Sequence, residues 1–401
     1  MQINSNDICF ICGSFTQLDK MPRLKRLPPF SDIVCDFLSD MSAVLMKHPG
    51  AKSYPDVMTF GFFCRRGNIS RLRSQYSNGC INRLGKGVSF HIAPSNVPIN
   101  FAYSLAAALL AGNSCIVRAS SKMFEQIDIV CECISQVLSN DRFSELVNYI
   151  AVIRYSKNKE INDYLSSVSN IRIIWGGDNT VSEIRQSPLP PRTTEITFAD
   201  RYSIAVIDSN AINNCENMVR LANDFYNDTY LYDQNACSSP RLIYWLGSID
   251  ETNKARKKFW NAVHEFISGK YLSEQIVAVN KYTAACRMAI DHGAKIEPQK
   301  DNLISRMEVK ALTNDLPDYR CAGGSFIEFC SDDLNAIKEI VNEKYQTLSY
   351  YGIDKQALVD FVISNGLRGI DRIVPIGKTA DFSLVWDGYD LIIQMSRAVS
   401  C

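Results

Sequence analysis

Short apolar runs alternate with amphipathic stretches along most of this chain. The runs are rich in Ile, Val and aromatic residues, which is typical of strands that are buried on both faces. The stretches between them carry apolar residues at the spacing of one helix face, as in Phe124 to Leu138. This alternation predicts βαβ units and largely parallel sheets. The predicted strands are 88–92, 115–118, 149–154, 171–175, 202–207 and 242–245.

Composition and charge narrow the possible function classes. The 401-residue chain is 46% hydrophobic, and its 43 basic residues balance 43 acidic ones. A net charge of zero does not fit a dedicated nucleic-acid binder, which presents excess basic residues to phosphate. The longest apolar stretch, Phe101 to Gly112, is shorter than the roughly 20 residues that a membrane span needs. The first residues lack the pattern of a signal peptide, so we expect a cytoplasmic protein.

The fourteen cysteines are spread through the chain at a density well below that of a disulfide scaffold. Cys9 and Cys12 have the spacing of a redox or metal motif. No second pair follows them at zinc-finger spacing, so we expect no metal site. Cys237 has different surroundings, because it lies between amides and hydroxyls in DQNACSSPR, just before an apolar run.

A doubly wound sheet often binds a dinucleotide at a glycine-rich turn after its first strand. The fingerprint G-x-G-x-x-G does not occur in this sequence. Trp175-Gly-Gly-Asp-Asn-Thr180 offers another place, because a helix that starts after the two glycines would present free amides to phosphate. The same glycines could form only a turn, and both interpretations stay open at this point.

Three motifs in order resemble those of the aldehyde dehydrogenase superfamily. Pro94-Ser-Asn-Val-Pro98 follows a strand, Ala111-Gly-Asn113 ends the next helix, and Gln234-Asn-Ala-Cys237 comes more than a hundred residues later. The superfamily's P-x-N-x-P, A-G-N and Q-x-x-C motifs have this order, and its members bind a nicotinamide cofactor without the usual glycine fingerprint. Six phrases from about residue 86 onward further resemble the LuxC-like fatty acyl-CoA reductases: HIAPSNVP, IIWGG, FADRYSIAVI, DQNACSSPR, QTLSYYG and GIDRIVPIGKTADFSLVWDGYDL.

The resemblance implies an α/β, aldehyde dehydrogenase-like fold with two parallel-sheet β/α domains and a small oligomerisation extension. It also implies a homo-oligomer and an acyl-activating synthetase as partner. The implied parts are a mostly helical 1–85 packed on the cofactor domain, a Rossmann-like NAD(P)-binding domain at 86–207, a catalytic domain at 208–375, and a segment at 376–401 that returns to the cofactor and oligomerisation region.

The resemblance assigns the chemistry to two side chains. Cys237 is the expected nucleophile, because a thiolate attacks an acyl thioester readily. Asn96 is the expected side-chain half of an oxyanion hole, with the backbone N–H of Cys237 as the second donor. The alternative role for Asn96 is to cap the helix predicted to begin near Pro98. The other thirteen cysteines are expected to be structural.

The resemblance also implies where a nicotinamide cofactor binds. Arg118 matches a lysine that contacts the adenosine ribose, and a guanidinium there suits a 2′-phosphate, which favours NADPH over NADH. Ser120 can add a hydroxyl donor. Gly176 and Gly177 match the loop that carries the pyrophosphate, whereas Asp178 is unexpected beside phosphate and could instead cap a helix.

Two glutamates of the superfamily are missing. The one that activates water has no counterpart in Phe198-Ala-Asp-Arg-Tyr-Ser-Ile204, and neither Glu195 nor Asp200 is in register. Tyr319-Arg-Cys-Ala-Gly-Gly-Ser325 likewise offers no Glu to hold the nicotinamide ribose. Without a base to activate water, we expect the acyl-cysteine to persist until a hydride reaches it.

These expectations describe an NADPH-dependent reductase that converts a long-chain fatty acyl thioester to the aldehyde. The alternatives are a hydrolytic aldehyde dehydrogenase, an acyl-phosphate reductase of the same superfamily, and an inactive assembly scaffold. His91 precedes the P-x-N-x-P motif and could approach the site, but we favour a histidine bonded within the core.

Overall fold

A computed structural model describes residues 7–77 and 82–400 of the chain. The chain forms two compact units. Unit 1 contains the residues up to Ala199 together with those from Leu384 onward, and unit 2 contains Asp200–Ser383. Each unit is built around its own sheet of mostly parallel strands.

The strands of unit 1 that precede unit 2 are short, and the central ones are apolar and buried. They are β1 (Cys9–Cys12), β2 (Asn82–Gly85), β3 (Val88–Ile92), β4 (Ser114–Arg118), β5 (Ile150–Arg154), β6 (Ile171–Trp175) and β7 (Thr194–Phe198). Six of them form a sheet in the order β1-β5-β4-β3-β6-β7. Strand β1 is an antiparallel edge, and the other pairings in this sheet are parallel. The prediction of a parallel sheet from the run of apolar segments is therefore confirmed.

Helices cover both faces of this sheet. They are α1 (Phe15–Lys20), α2 (Asp32–Lys47), α3 (Pro55–Phe63), α4 (Arg66–Tyr76), α5 (Asn100–Leu110), α6 (Glu125–Leu138), α7 (Lys159–Ser167) and α8 (Asp178–Ile184). Helix α5 is buried on all sides, which explains why its sequence is apolar throughout. It ends at Leu110, as predicted, and Gly112 then adopts a left-handed φ of +87°.

Unit 2 repeats the doubly wound plan. Its strands are β8 (Tyr202–Asp208), β9 (Pro240–Leu246), β10 (Lys295–Ile296), β11 (Ser305–Glu308), β12 (Ser325–Ser331), β13 (Tyr345–Tyr351) and β14 (Arg372–Pro375). They lie in the order β10-β11-β12-β9-β8-β13-β14, and only β10 pairs antiparallel among these described strands.

Alternate residues of the central strands of unit 2 enter two different cores. Ile204 and Leu242 face one core, whereas Ala205 and Ile243 face the other. Because both faces are covered, the strand sequences are apolar without alternation. The helices of this unit are α9 (Ser209–Asn213), α10 (Met218–Thr229), α11 (Ile249–Ile267), α12 (Gln275–His292), α13 (Asn335–Ile340) and α14 (Lys355–Ser364).

The chain then returns to unit 1. The returning elements are β15 (Val385–Trp386), β16 (Tyr389–Asp390), α15 (Leu391–Met395) and β17 (Ser396–Val399). Strands β15 and β16 form an antiparallel pair, and β17 pairs antiparallel with β2. In the described part of the chain, no helix is long and apolar enough to cross a membrane.

Two predicted domain limits differ from the structure. Strand β8, which we assigned to the end of the cofactor domain at 207, pairs with β9 and β13 in the sheet of unit 2. Unit 2 therefore begins at Asp200. It also extends to Ser383, beyond the predicted limit at 375, because Gly377 and Thr379 donate backbone hydrogen bonds to the buried Asp228 of α10.

Candidate active site

The predicted site residues of unit 1, namely Asn96 and the four cofactor residues, lie at one edge of its sheet. Loops follow the carboxyl ends of β3, β4 and β6, which are adjacent in the order β4-β3-β6. They carry Asn96, Ser120, and Gly176 with Gly177, respectively. Ligands of open α/β sheets bind at this edge. The fold thus brings together five of the six residues named from the sequence, including Arg118 at the last position of β4.

Asn96 lies in the loop between β3 and α5, and its side chain is exposed. Helix α5 begins at Asn100, and its N-cap is Ile99. The alternative interpretation of Asn96 as the cap of this helix is therefore wrong, because Asn96 lies three positions before the cap residue. The oxyanion role of Asn96 stays a prediction.

Arg118 is held by neighbouring side chains at the end of β4. Its guanidinium lies 4.5 Å from the ring centroid of Tyr155, which gives a cation–π contact. The Tyr155 hydroxyl donates to Asn162 Oδ1 of α7 at 2.7 Å, and both of these side chains are buried. Ser120 is also buried, and its hydroxyl accepts a hydrogen bond from the Lys122 N–H at 3.1 Å. The ring and the helix thus fix the orientation of Arg118.

Two glycines join β6 to α8. Gly177 is the N-cap of α8, so the expectation that Asp178 caps this helix is wrong. Asp178 is the first residue of the helix instead, where a carboxylate interacts favourably with the free N–H groups. A Cβ built on Gly177 would meet no atom within 4 Å, whereas one on Gly176 would contact Thr180 at 3.0 Å. Open space therefore lies above Gly177, where a pyrophosphate could pass close to the backbone.

Cys237 lies in a tight turn at the amino end of β9 in unit 2. The turn contains two non-glycine residues with left-handed backbone angles, Asp233 with φ of 51° and Gln234 with φ of 58°. Such angles cost free energy, so they persist only where other contacts fix the backbone. Cys237 itself is half-buried, and its carbonyl oxygen accepts a hydrogen bond from Ser203 Oγ at 2.7 Å.

Gln234 supplies the contacts that fix this turn. Its side chain is fully buried. The Nε2 group donates to the carbonyl oxygens of Pro240 and Ser325, each at 3.0 Å. The Oε1 atom accepts from the N–H groups of Gly324 at 3.0 Å and Ser325 at 2.9 Å. One amide therefore joins the turn before Cys237 to the start of β12.

Two arginines, Arg241 and Arg320, interact electrostatically with Cys237. Arg241 is buried, and it donates from Nη1 to the Cys321 carbonyl at 2.6 Å and from Nη2 to the Gln234 carbonyl. Burial lowers the pKa of Arg241, and the charge of Cys237 acts in the opposite direction. The hydrogen bonds that Arg320 donates to Asp200 raise the pKa of Arg320, and the charge of Cys237 adds to that shift. Positive charge is therefore within electrostatic reach of the sulfur.

The carboxylates nearest in sequence to the missing general base are held in ion pairs. Asp200 accepts both hydrogen bonds of a bidentate pair with Arg320. Glu195 accepts from Arg172 and Arg185. Burial alone would raise the pKa of Glu195, but the two guanidinium groups hold it below its usual value. A carboxylate held in this way is a poor base.

The remaining candidates from the sequence have structural surroundings. His91 is fully buried in β3, and its Nδ1 is hydrogen-bonded to Ser104 Oγ at 2.5 Å. The preferred interpretation as a histidine bonded within the core is therefore confirmed, and burial lowers the pKa of His91 to about 3. Cys9 is exposed and Cys12 is buried, and the described residues contain no cluster of three or more metal-ligating side chains.

Sequence reasoning missed the arginines at Cys237. Arg241 is the last residue of the phrase DQNACSSPR. In the sequence, a basic residue at the start of a strand looks like an ordinary surface residue. Its role is visible only from its burial in the structure. The signal in the sequence was the apolar run that follows it, which indicates a buried strand.

Comparison with known proteins shows the family of this chain. The model of the family described as "Acyl-CoA reductase (LuxC)" matches residues 67–398. The chain belongs to the acyl-CoA reductase (LuxC) family. A long-chain acyl-protein thioester reductase of Photobacterium phosphoreum is 23% identical over 80% of this chain and 63% of its own length. The corresponding protein of Photorhabdus luminescens is 25% identical over 80% of this chain and 64% of its own length. The chain thus spans less than two thirds of the length of these relatives.

Solved structures show which fold this acyl-CoA reductase family member has. Aldehyde dehydrogenase 21 from Physcomitrella patens, solved with the reaction product succinate, gives a TM-score of 0.65 at 12% identity, covering 96% of this chain and 88% of that one. The glyceraldehyde-3-phosphate dehydrogenase of Methanocaldococcus jannaschii, complexed with NADP, gives 0.65 at 13% identity, covering 96% and 91%. The predicted α/β, aldehyde dehydrogenase-like fold is therefore confirmed.

Proposed function

We propose that this chain reduces a long-chain fatty acyl thioester to the aldehyde with NADPH, through an acyl group held on Cys237. The observation that supports this most is the turn around Cys237. A fully buried glutamine fixes its backbone, and Arg241 and Arg320 interact electrostatically with Cys237. A thiolate is the reactive form of cysteine, and neighbouring cations favour it.

In this proposal the Cys237 sulfur attacks the carbonyl carbon of the thioester. The bond between that carbon and the sulfur of the carrier breaks, and the carrier leaves as a thiolate. Negative charge develops on the carbonyl oxygen during the attack, and the amide of Asn96 and the backbone N–H of Cys237 are the proposed donors to it. A single oxyanion donor of this kind contributes about 3–4 kcal/mol to the lowering of the barrier.

The nicotinamide cofactor fits the residues of unit 1. Arg118 presents a planar cation, held by Tyr155, that suits a 2′-phosphate. Gly177 leaves open space above the backbone for the pyrophosphate. When bound, the cofactor supplies the hydride that reduces the acyl group. The bond between Cys237 and the reduced carbon then breaks, which releases the aldehyde and restores the thiolate.

Hydrolysis of the acyl-cysteine would need a carboxylate that can accept a proton from water. Asp200 and Glu195 are each committed to arginines within their own units. The acyl group on Cys237 therefore survives long enough to be reduced. This argues against the alternative of a hydrolytic aldehyde dehydrogenase. The fixed turn that carries Cys237 argues against an inactive scaffold.

The names of the relatives bear on the carrier. They describe an acyl group bound as a thioester to a protein, which favours a protein carrier such as an acyl-activating synthetase as the partner. We also propose a homo-oligomer, which is expected from the superfamily.

The test is a steady-state assay with NADPH and thioesters of graded chain length, on CoA and on a carrier protein. Cofactor absorbance is followed while a hydrazine reagent traps the aldehyde. We expect trapped aldehyde in a 1:1 ratio to oxidised cofactor, and at least about a thousandfold loss of turnover in Cys237→Ala. Free fatty acid as the main product, or full turnover in Cys237→Ala, would overturn the proposal.

A further inference from the structure

Arg241 is placed to connect the segments on both sides of the nucleophile. It lies four residues after Cys237, at the second position of β9. Its Nη2 donates to the carbonyl of Gln234, three residues before Cys237, and its Nη1 donates to the carbonyl of Cys321, in the loop before β12. One guanidinium thus ties the turn that carries the sulfur to a segment about eighty residues further along the chain.

Arg241 also brings a buried positive charge. The side chain is 8% exposed, and both of these hydrogen bonds go to carbonyl oxygens, which carry no formal charge. Its Nε atom is buried without a hydrogen-bond partner in the described part of the chain. Burying a cation costs free energy unless an anion compensates it. The buried charge is explained if an anion forms beside it during the reaction.

The neighbouring charged groups identify that anion. The groups that act on Arg241 are Tyr202 of β8, Arg320 and Cys321 of the loop before β12, and Cys237. Burial raises the pKa of Tyr202 far above its usual value, so this phenol stays neutral. Burial also raises the pKa of Cys321, although Lys281 and Arg241 oppose that shift. Cys237 remains among these groups, and the proposed function gives it an anionic form.

Arg320 differs from Arg241 although it also interacts electrostatically with Cys237. Its guanidinium is 42% exposed and forms a bidentate pair with Asp200. Asp200 therefore balances its charge, and solvent screens what remains. Asp233, on the same turn as Cys237, is exposed and interacts with Tyr271. These groups contribute less net charge at the sulfur than the buried, uncompensated Arg241.

We propose that Arg241 is the positioning residue of the nucleophile: its buried guanidinium clamps the segments that flank Cys237 and supplies the positive charge that keeps this sulfur in its thiolate form. The inference rests on the proposed function, because it gives Cys237 the role of nucleophile. It assigns to one buried side chain both the geometry and the charge of the attacking group.

The test measures how fast iodoacetamide alkylates Cys237 as a function of pH, without any substrate. Peptide mass spectrometry separates Cys237 from the exposed Cys9, which serves as the internal control. In Arg241→Met we expect the alkylation rate of Cys237 at neutral pH to fall about tenfold. The half-maximal pH, at which this rate reaches half of its maximum, should rise by about one unit. The same change should leave the alkylation of Cys9 unaltered.

Two further variants separate charge from geometry. Arg241→Lys keeps the charge but not the planar fork, so its half-maximal pH should stay within about half a unit of the wild type while turnover with acyl thioester falls about tenfold. Arg320→Gln should move the half-maximal pH less than Arg241→Met does. If Arg241→Met does not fold, the pH profile of Arg241→Lys decides the question. A rise of a full unit in its half-maximal pH for Cys237 alkylation would overturn the inference.

The outcomes also distinguish this inference from the proposed function. If Cys237 of the wild type is alkylated no faster than Cys9, the proposed function itself loses its nucleophile. If Cys237 reacts fast in the wild type and equally fast, with the same pH profile, in folded Arg241→Met, only the role of Arg241 is refuted.

Discussion

Gln234 gives a test of how the nucleophile's turn is held. Replacing it with alanine removes four hydrogen bonds from a fully buried side chain and leaves their backbone partners unsatisfied. At about 1 kcal/mol for each bond, the expected loss in the free energy of unfolding is about 4 kcal/mol. We expect turnover to fall as well, because the left-handed angles at Asp233 and Gln234 lose the contacts that impose them.

Urea denaturation measures this loss. Trp245 and Trp260 are buried in unit 2, so their fluorescence reports its unfolding. The matched control is Gln356→Ala on α14, where an exposed glutamine donates a single hydrogen bond to Asp360, and we expect a change within about 0.5 kcal/mol. A loss below about 1 kcal/mol in Gln234→Ala would refute the reasoning that this side chain fixes the turn.

Three further variants test other parts of the structure. Burial raises the pKa of Asp228 to about 7, so between pH about 4 and 7 the folded state keeps a proton that the unfolded state releases. The free energy of unfolding should therefore fall as the pH rises through this range. In Asp228→Asn, the urea midpoint should no longer depend on pH in this way. Burial lowers the pKa of His91 to about 3, so stability should instead fall as pH drops from about 6.5 toward 3, and His91→Gln should lack this acid loss. Arg118→Gln should raise KM for NADPH about tenfold or more while changing KM for NADH little, because a charge-assisted bond contributes about 1.5–3 kcal/mol.

The predicted strands and the parallel sheets could be read from the sequence because their signals are local, whereas the aldehyde dehydrogenase-like fold was implied by the family resemblance. Each apolar run that we named as a strand is a strand, and Gly112 ends its helix because a left-handed φ is needed there. The domain limit was harder to place, since β8 is buried on both faces and would look the same in either sheet. Only its pairing with β9 and β13 shows which sheet it joins.

The surroundings of the candidate site could not be predicted either, because they depend on contacts between residues that are distant in the sequence. Gln234 and Arg241 matter because of partners about eighty to ninety residues away, and a single sequence does not show such pairings. Glu328 is a similar case in the core of unit 2. This carboxylate is fully buried in β12 and accepts hydrogen bonds from Trp245 and Trp260 at 2.8 Å each, although its position in the sequence resembles that of a solvent-facing residue.

The most direct measurement is the mass of the intact protein after it is mixed with a long-chain acyl thioester, first without cofactor and then with NADPH. We predict a single acyl adduct on the peptide that contains Cys237, stable in water over the time of the experiment. The adduct should disappear when NADPH is added, with one aldehyde formed for each acyl group lost. An adduct on another residue, or one that decays to free fatty acid without cofactor, would contradict the account.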